Sequence, residues 1–222
     1  MTITRPSPPA RIKRLLQTNT VMTVKQLRQA LNGRARSSVF RDLKRVDVIS
    51  SYSHTGQYHA LKSTARFDQN GLWFFNGIGF ARYGTLKSTL VELIVEAQAG
   101  MTHKELKTLL QVAVQNTLTE LVASNTVGRY LLPNRLSLYV SPDRHQGAAQ
   151  FQRRLRLLEK VAETILPPDN MRIEILLEVI RSTPHRTDAK ALGMGLRERG
   201  IAIEDREVMA VLLYYDIKKN GL

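Results

Sequence analysis

The clearest chemical signal in the chain is a window of cations and hydroxyls at Arg36, Ser37, Ser38, Arg41, Lys44 and Arg45. Guanidinium and ammonium groups seek phosphate oxygens. An Arg can also donate a parallel pair of hydrogen bonds to guanine, and a Ser hydroxyl can meet a base edge or a phosphate. Interleaved with them are Val39, Phe40, Leu43 and Val46. At about 100° per residue the apolar positions gather on one side of a helix, with Ser37, Ser38, Arg41, Lys44 and Arg45 opposite. The expectation is a helix from Arg36 to Asp47, with Val39, Phe40, Leu43 and Val46 in the core. Arg41 would read guanine, Ser37 and Ser38 would touch bases or phosphates, and Lys44 and Arg45 would hold the backbone.

Neighbouring residues extend this set. Arg34 and Arg36 flank the preceding turn and are expected to reach the adjacent strand. His54 and Gln57 surround Gly56, whose missing side chain allows close backbone approach to a phosphate. Further along, Gln115, Asn116 and Thr119 form a second polar cluster, poorer in charge; Gln and Asn pair bidentately with adenine. Base reading and simple packing are both open for that cluster. Arg129 and Arg135 nearby favour contact.

Catalytic chemistry finds less support. The histidines at 54, 59, 103, 145 and 185 have no metal-ligand spacing among themselves or with carboxylates. There is no phosphate-cradling GxxxxGK[ST] and no GxSxG elbow. The NGIGF stretch at Gly77 and Gly79 opens no helix, so it is not a dinucleotide fingerprint. With 0 cysteines, disulfides and thiolate metal sites are excluded. The expectation is a non-enzyme without metal or cofactor.

The charge balance fits a polyanionic partner. Across 222 residues, 33 Lys and Arg face 19 Asp and Glu, a net of +14. Residues 1–65 alone contribute +10, against +1 for 66–143 and +3 for 144–222. The excess therefore lies where a phosphate backbone would run. No apolar run is long enough to span a membrane, and the basic N-terminus lacks the apolar stretch of a secretory signal. A cytoplasmic, nucleoid-associated location is expected.

The elements that would carry these residues recur. The first segment reads as helices Pro8–Asn19, Val24–Leu31 and Arg36–Asp47, then strands Val48–Tyr52 and Gln57–Lys62. About 79 residues later the order repeats. A helix Leu86–Ala97 is followed by Thr102 in the place of Thr23, each a helix N-cap. Leu106 and Leu110 match Leu27 and Leu31, and Leu118 and Leu121 match Phe40 and Leu43. Strands Val127–Leu132 and Leu136–Ser141 close the unit around Pro133-Asn134. Three short helices with a hairpin describe a winged helix.

The expected fold is thus mainly α (α+β): winged-helix domains at 1–65 and 86–143, an aromatic connector at 66–85, and a helical C-terminal domain at 144–222. The connector's Trp73, Phe74, Phe75, Ile78 and Phe80 are too apolar for a free linker. They read as a strand pair or collar, with a base-stacking platform as the alternative. PDRHQGAAQ after Ser141 reads as a hinge before a basic helix Phe151–Ile165. Helices Ile173–Ser182, Thr187–Arg199 and Asp205–Ile217 follow, the second capped by Thr187. They would form a third helix-turn-helix or a homodimer contact.

Residues 66–222 resemble a known group. The F-x-x-x-G-T-L run from Phe80 to Leu86 and the T-x-x-E-L-x-x-L-L-x-V run from Thr102 to Val112 are similar to the N-terminal region of bacterial transposases and transposase-like proteins. The segment from Ile175 to Leu222 resembles the helical piece that precedes their catalytic domain. The resemblance implies binding to element ends or a related DNA site. Such proteins continue into an RNase H-like domain with an acid triad, whereas this sequence stops at Leu222, so no catalytic residue carries over. The expected partner is double-stranded DNA, in transposition, genome defence or transcriptional control. The rivals are the recognition portion of a longer transposase and a free-standing dimeric repressor. RNA ranks lower, for want of an RNP-like strand or GXXG clamp.

Overall fold

The computed structural model describes residues 7–133, 135–182, 188–215 and 217. Among them the chain is mixed α+β, 56% helical, with 10 helices and small sheets. It divides into two compact units, Met1–Ala97 with Met101–Gly128, and Gln98–Gly100 with Arg129–Leu222. These limits differ from the boundaries at 65, 85 and 143 suggested by the sequence.

In the first unit, α1 (Pro8–Asn19) starts on prolines, which suit a first helical turn because their missing N–H has no partner there. It buries Ile12 and Leu16. Strand β1 (Val21–Thr23) leads into α2 (Val24–Ala30) through a capping box: Gln26 N–H donates to Thr23 Oγ1 at 3.2 Å, and Thr23 N–H donates to Gln26 Oε1 at 2.8 Å. After a turn comes α3 (Arg36–Leu43). Ile12, Leu16, Leu27, Val39 and Leu43 share one core.

Strands β2 (Val48–Ser50) and β3 (Tyr58–Leu61) complete an antiparallel sheet of order β1-β3-β2, in which His59 faces Met22 on one side and Ser50 on the other. Between them, His54, Thr55 and Gly56 all have positive φ. The connector is a hairpin, β4 (Leu72–Phe75) with β5 (Ile78–Ala81), turning at Asn76-Gly77 with φ of 47° and 76°. Consecutive left-handed residues there match the twist of a tight hairpin. It is no spacer: Trp73 and Phe80 share a core with Ala60, against which Val21, Ile49 and Tyr58 pack.

The remaining helices of this unit are α4 (Leu86–Glu96), α5 (His103–Leu110) and α6 (Gln115–Ala123), with β6 (Met101–Thr102) between the first two. Thr102 caps α5 with Glu105 in the same capping box that Thr23 forms with Gln26. Strands β7 (Gly128–Leu131) and β8 (Ser137–Val140) follow in the chain, are neighbours in one sheet, and apart from Gly128 belong to the second unit.

In the second unit, α7 runs from Arg144 to Ile165. The expected hinge is its first turns. Gln146 N–H donates to Asp143 Oδ1 at 2.8 Å, and Gln150 Oε1 accepts from Ser141 N–H at 2.7 Å. A Cβ at Gly147 would sit 2.7 Å from the Ser141 carbonyl oxygen, so glycine there permits close packing and does not mark flexibility. Helices α8 (Asp169–Ser182), α9 (Ala189–Glu198) and α10 (Asp205–Tyr214) pack around Ile175, Leu192, Leu196, Val208 and Val211. The Thr187 cap expected for α9 lies outside the described residues, as does Asn134. Among the described residues, no helix is long and apolar enough to cross a membrane.

Candidate nucleic-acid interface

Helix α3 ends at Leu43, so Lys44 is its C-cap and Arg45 follows it. Both are exposed, with Arg36, Ser37 and Arg41; Ser38 is half-buried. The side chains that α3 buries are Val39, Asp42 and Leu43. One expectation is corrected here. Phe40 is not core: it is 39% exposed. It lies about 60° round the helix from Leu43, on the side of Lys44. Its ring stands at 82° to that of His59, and Arg36 lies 5.6 Å from its centroid.

Arg34 is engaged within the protein as well. Its Nε donates to Asp42 Oδ2 at 2.8 Å, and Asp42 is 4% exposed. A buried carboxylate needs this partner, since leaving it unpaired would be strongly destabilising. Arg34 therefore holds the turn between α2 and α3, and Arg28 Nε braces the same turn by donating to the Arg34 carbonyl at 3.0 Å.

The turn of the β2–β3 hairpin presents His54, Thr55 and Gln57 to solvent. Gln57 Nε2 donates to Thr55 Oγ1 at 3.2 Å. A groove of about 420 Å³ joins this turn to the helices, lined by Lys25, Arg28, Arg36, Phe40, Thr55 and Gln57 among others. A second groove of about 630 Å³ runs past Lys44, Arg45, Asp47 and Ser50. Phe40 and His59 line both. The structure thus brings together Arg36, Phe40 and the hairpin turn, and adds Lys25 and Arg28. The sequence held a sign of these two: both are cations three residues apart on α2, hence on one face.

His59 is the buried centre of this region, 5% exposed. Its Nδ1 is 3.0 Å from Ser50 Oγ, while Nε2 is buried with no hydrogen-bond partner. Burial holds the imidazole below its ordinary pKa.

On α6, Gln115, Asn116 and Thr119 are exposed, and Thr119 Oγ1 donates back to the Gln115 carbonyl at 3.0 Å. Glu120, also exposed, shares this helix surface. Arg129 on β7 and Arg135 beyond it are exposed and belong to the second unit. Among the described residues no group of His, Cys, Asp or Glu could hold a metal ion. No protein-family model, curated protein or solved structure matches the chain.

Proposed function

We propose that the chain binds double-stranded DNA, with α2 and α3 as a helix-turn-helix and the β2–β3 hairpin as its wing. The observation that carries this reading is the exposed side of α3. Ser37, Arg41 and Lys44 point outward with no acid among them, beside a groove shared with Lys25, Arg28, Arg36 and the hairpin turn. The acid within the helix, Asp42, is buried and neutralised by Arg34. Such a surface offers phosphate contacts along its rim and donors for base edges at its centre.

Under this reading α4–α6 with β6–β8 are a second winged helix. The repeated capping box and the repeated succession of three helices and two strands support it. Gln115, Asn116 and Thr119 would meet DNA with less backbone grip, and Arg129 and Arg135 would belong to its wing. The likeness to transposase N-terminal regions favours element ends, or sites of similar composition, over a promoter operator. Selection from random duplexes, followed by binding measurements on the selected site, tests the whole reading. Retention of no sequence and no salt-dependent affinity for any duplex would overturn it.

A homodimer through the C-terminal helices rests on Ile173, Leu177 and Ile180, exposed at spacings of four and three on α8. Sedimentation over a range of concentrations tests it; a monomer throughout would refute it.

A further inference from the structure

Among the described residues of the first unit, Phe40 is the one large hydrophobic side chain left exposed. Surface aromatics need no explanation when isolated on a neutral face. This one stands on the helix side that otherwise carries Ser37, Arg41 and Lys44. It forms the ridge between two grooves, with Lys25, Arg28 and Arg36 along one and Lys44 and Arg45 along the other. The ring meets His59 in a T-shaped contact, with centroids 6.2 Å apart, and Arg36 lies over it at 5.6 Å from the centroid. An apolar ridge with cations on both flanks has the shape of a contact between two phosphate strands, at the floor of a major groove. The exposed apolar group on that floor is the 5-methyl of thymine.

Resting on the DNA-binding reading above, we infer that Phe40 is a specificity-determining residue that packs against a thymine methyl and so requires thymine at one position of the site. Arg36 and His59 act as positioning residues that fix the ring.

The experiment starts from the duplex selected by the wild-type protein. Each thymine is replaced in turn by deoxyuracil, which keeps every Watson–Crick and major-groove hydrogen bond and removes only the methyl. Affinity is measured for the wild type, Phe40→Ala and Phe40→Leu. At one position the wild type is expected to lose about fourfold, roughly the worth of one buried CH2-sized group. Phe40→Ala is expected to bind the T and U duplexes equally, and Phe40→Leu to retain part of the discrimination. Wild-type indifference to uracil at every position would overturn the inference without touching the DNA-binding reading. So would a uracil penalty that persists undiminished in Phe40→Ala, since another side chain would then read the methyl. Absence of binding to any duplex would defeat the DNA-binding reading itself, and the inference with it. Phe40→Leu, at a position 39% exposed, carries the same comparison if Phe40→Ala folds poorly.

Discussion

The hydroxyl of Tyr52, two residues beyond β2, donates a buried 2.9 Å hydrogen bond to the carbonyl of Leu110, the last residue of α5. Burial, with Asp68 adding, pushes this phenol well above its usual range, so it stays protonated and remains a donor. The ring leaves no room beside it: a Cβ at Gly79 would lie 2.5 Å from Tyr52 Cζ. Tyr52 N–H also donates to the Gly79 carbonyl at 3.0 Å. Within the first unit, one side chain thus ties the first three-helix group, the connector hairpin and the second three-helix group.

Tyr52→Phe should therefore destabilise the first unit by about 1–2 kcal/mol, because the Leu110 carbonyl loses its partner in a buried place. If α3 and α6, under the proposed pair of winged helices, read two half-elements of one site at a fixed spacing, the same variant should relax that spacing. Single-base insertions between the half-elements should weaken wild-type binding sharply near half a helical turn of about 10–10.5 bp, and Tyr52→Phe binding less so. Equal wild-type affinity at all spacings would refute rigid joint reading. Trp73→Ala is a poorer probe, since Trp73 lies in the core around Ala60 and Phe80 and its truncation should cost about 3–5 kcal/mol.

Binding should weaken steeply with salt, with a log–log slope near −0.9 per phosphate contacted. Replacing Arg36, Arg41 and Lys44 by Gln should make that slope shallower by about 2–3. Titrations at several salt concentrations measure it; a flat wild-type dependence would rule out a phosphate-led interface. Deleting residues 1–65 is not a fair version of this test, because Ala60 and the connector share a core.

Arg41→Ala should cost about 1–3 kcal/mol on the best site and relax one base preference, whereas Lys44→Ala should weaken all sequences alike. Repeating the selection with each variant distinguishes them. An unchanged motif for Arg41→Ala would mean that α3 does not read bases through that residue.

His59 predicts a pH dependence of stability. In the unfolded chain the ring takes up a proton near its ordinary 6.5; folded, burial holds its pKa lower. Between those values the unfolded state binds more protons, so stability is complete above about pH 6.5 and falls as pH drops toward the folded pKa. Protonation would place a charge against Ser50 and Phe40, with Nε2 lacking an acceptor and Lys44 and Arg45 on the same groove. Thermal unfolding between about pH 7.5 and 5 should show the decline for wild type and a shallower one for His59→Gln. Equal slopes would refute the assignment.

The helices could be read because their signals are local. Thr23 with Gln26, and Thr102 with Glu105, place a cap and its reciprocal partner within three residues, and both boxes form. The connector's aromatics likewise announced a packed hairpin. What could not be read depends on residues far apart in the chain. Phe40 sits at the margin of its helix's apolar arc, and its contact with His59 of β3 and its 39% exposure depend on tertiary packing. Arg34 looks like any surface cation until Asp42 is seen to be buried. The segment at Pro142–Gln150 has the composition of a hinge, yet Ser141 and Asp143 turn it into the start of α7. Leu43→Ala, at 3% exposure, should cost about 2–5 kcal/mol, and Phe40→Ala well under the ~3–5 kcal/mol of a buried Phe. Calorimetry of the pair tests that correction directly.

The division of α3 into a buried set, Val39, Asp42 and Leu43, and an outward set, Ser37, Arg41 and Lys44, makes the helix rewritable. Exposed substitutions away from packed features usually change stability by no more than about 0.5 kcal/mol. A library randomised at positions 37, 41 and 44 should consequently remain folded almost throughout, while its members diverge in the duplexes they retain. Position 42 must be kept out of such a library. It carries a charged residue on a short helix, yet with Arg34 it belongs to the grammar of folding and not to the vocabulary of recognition.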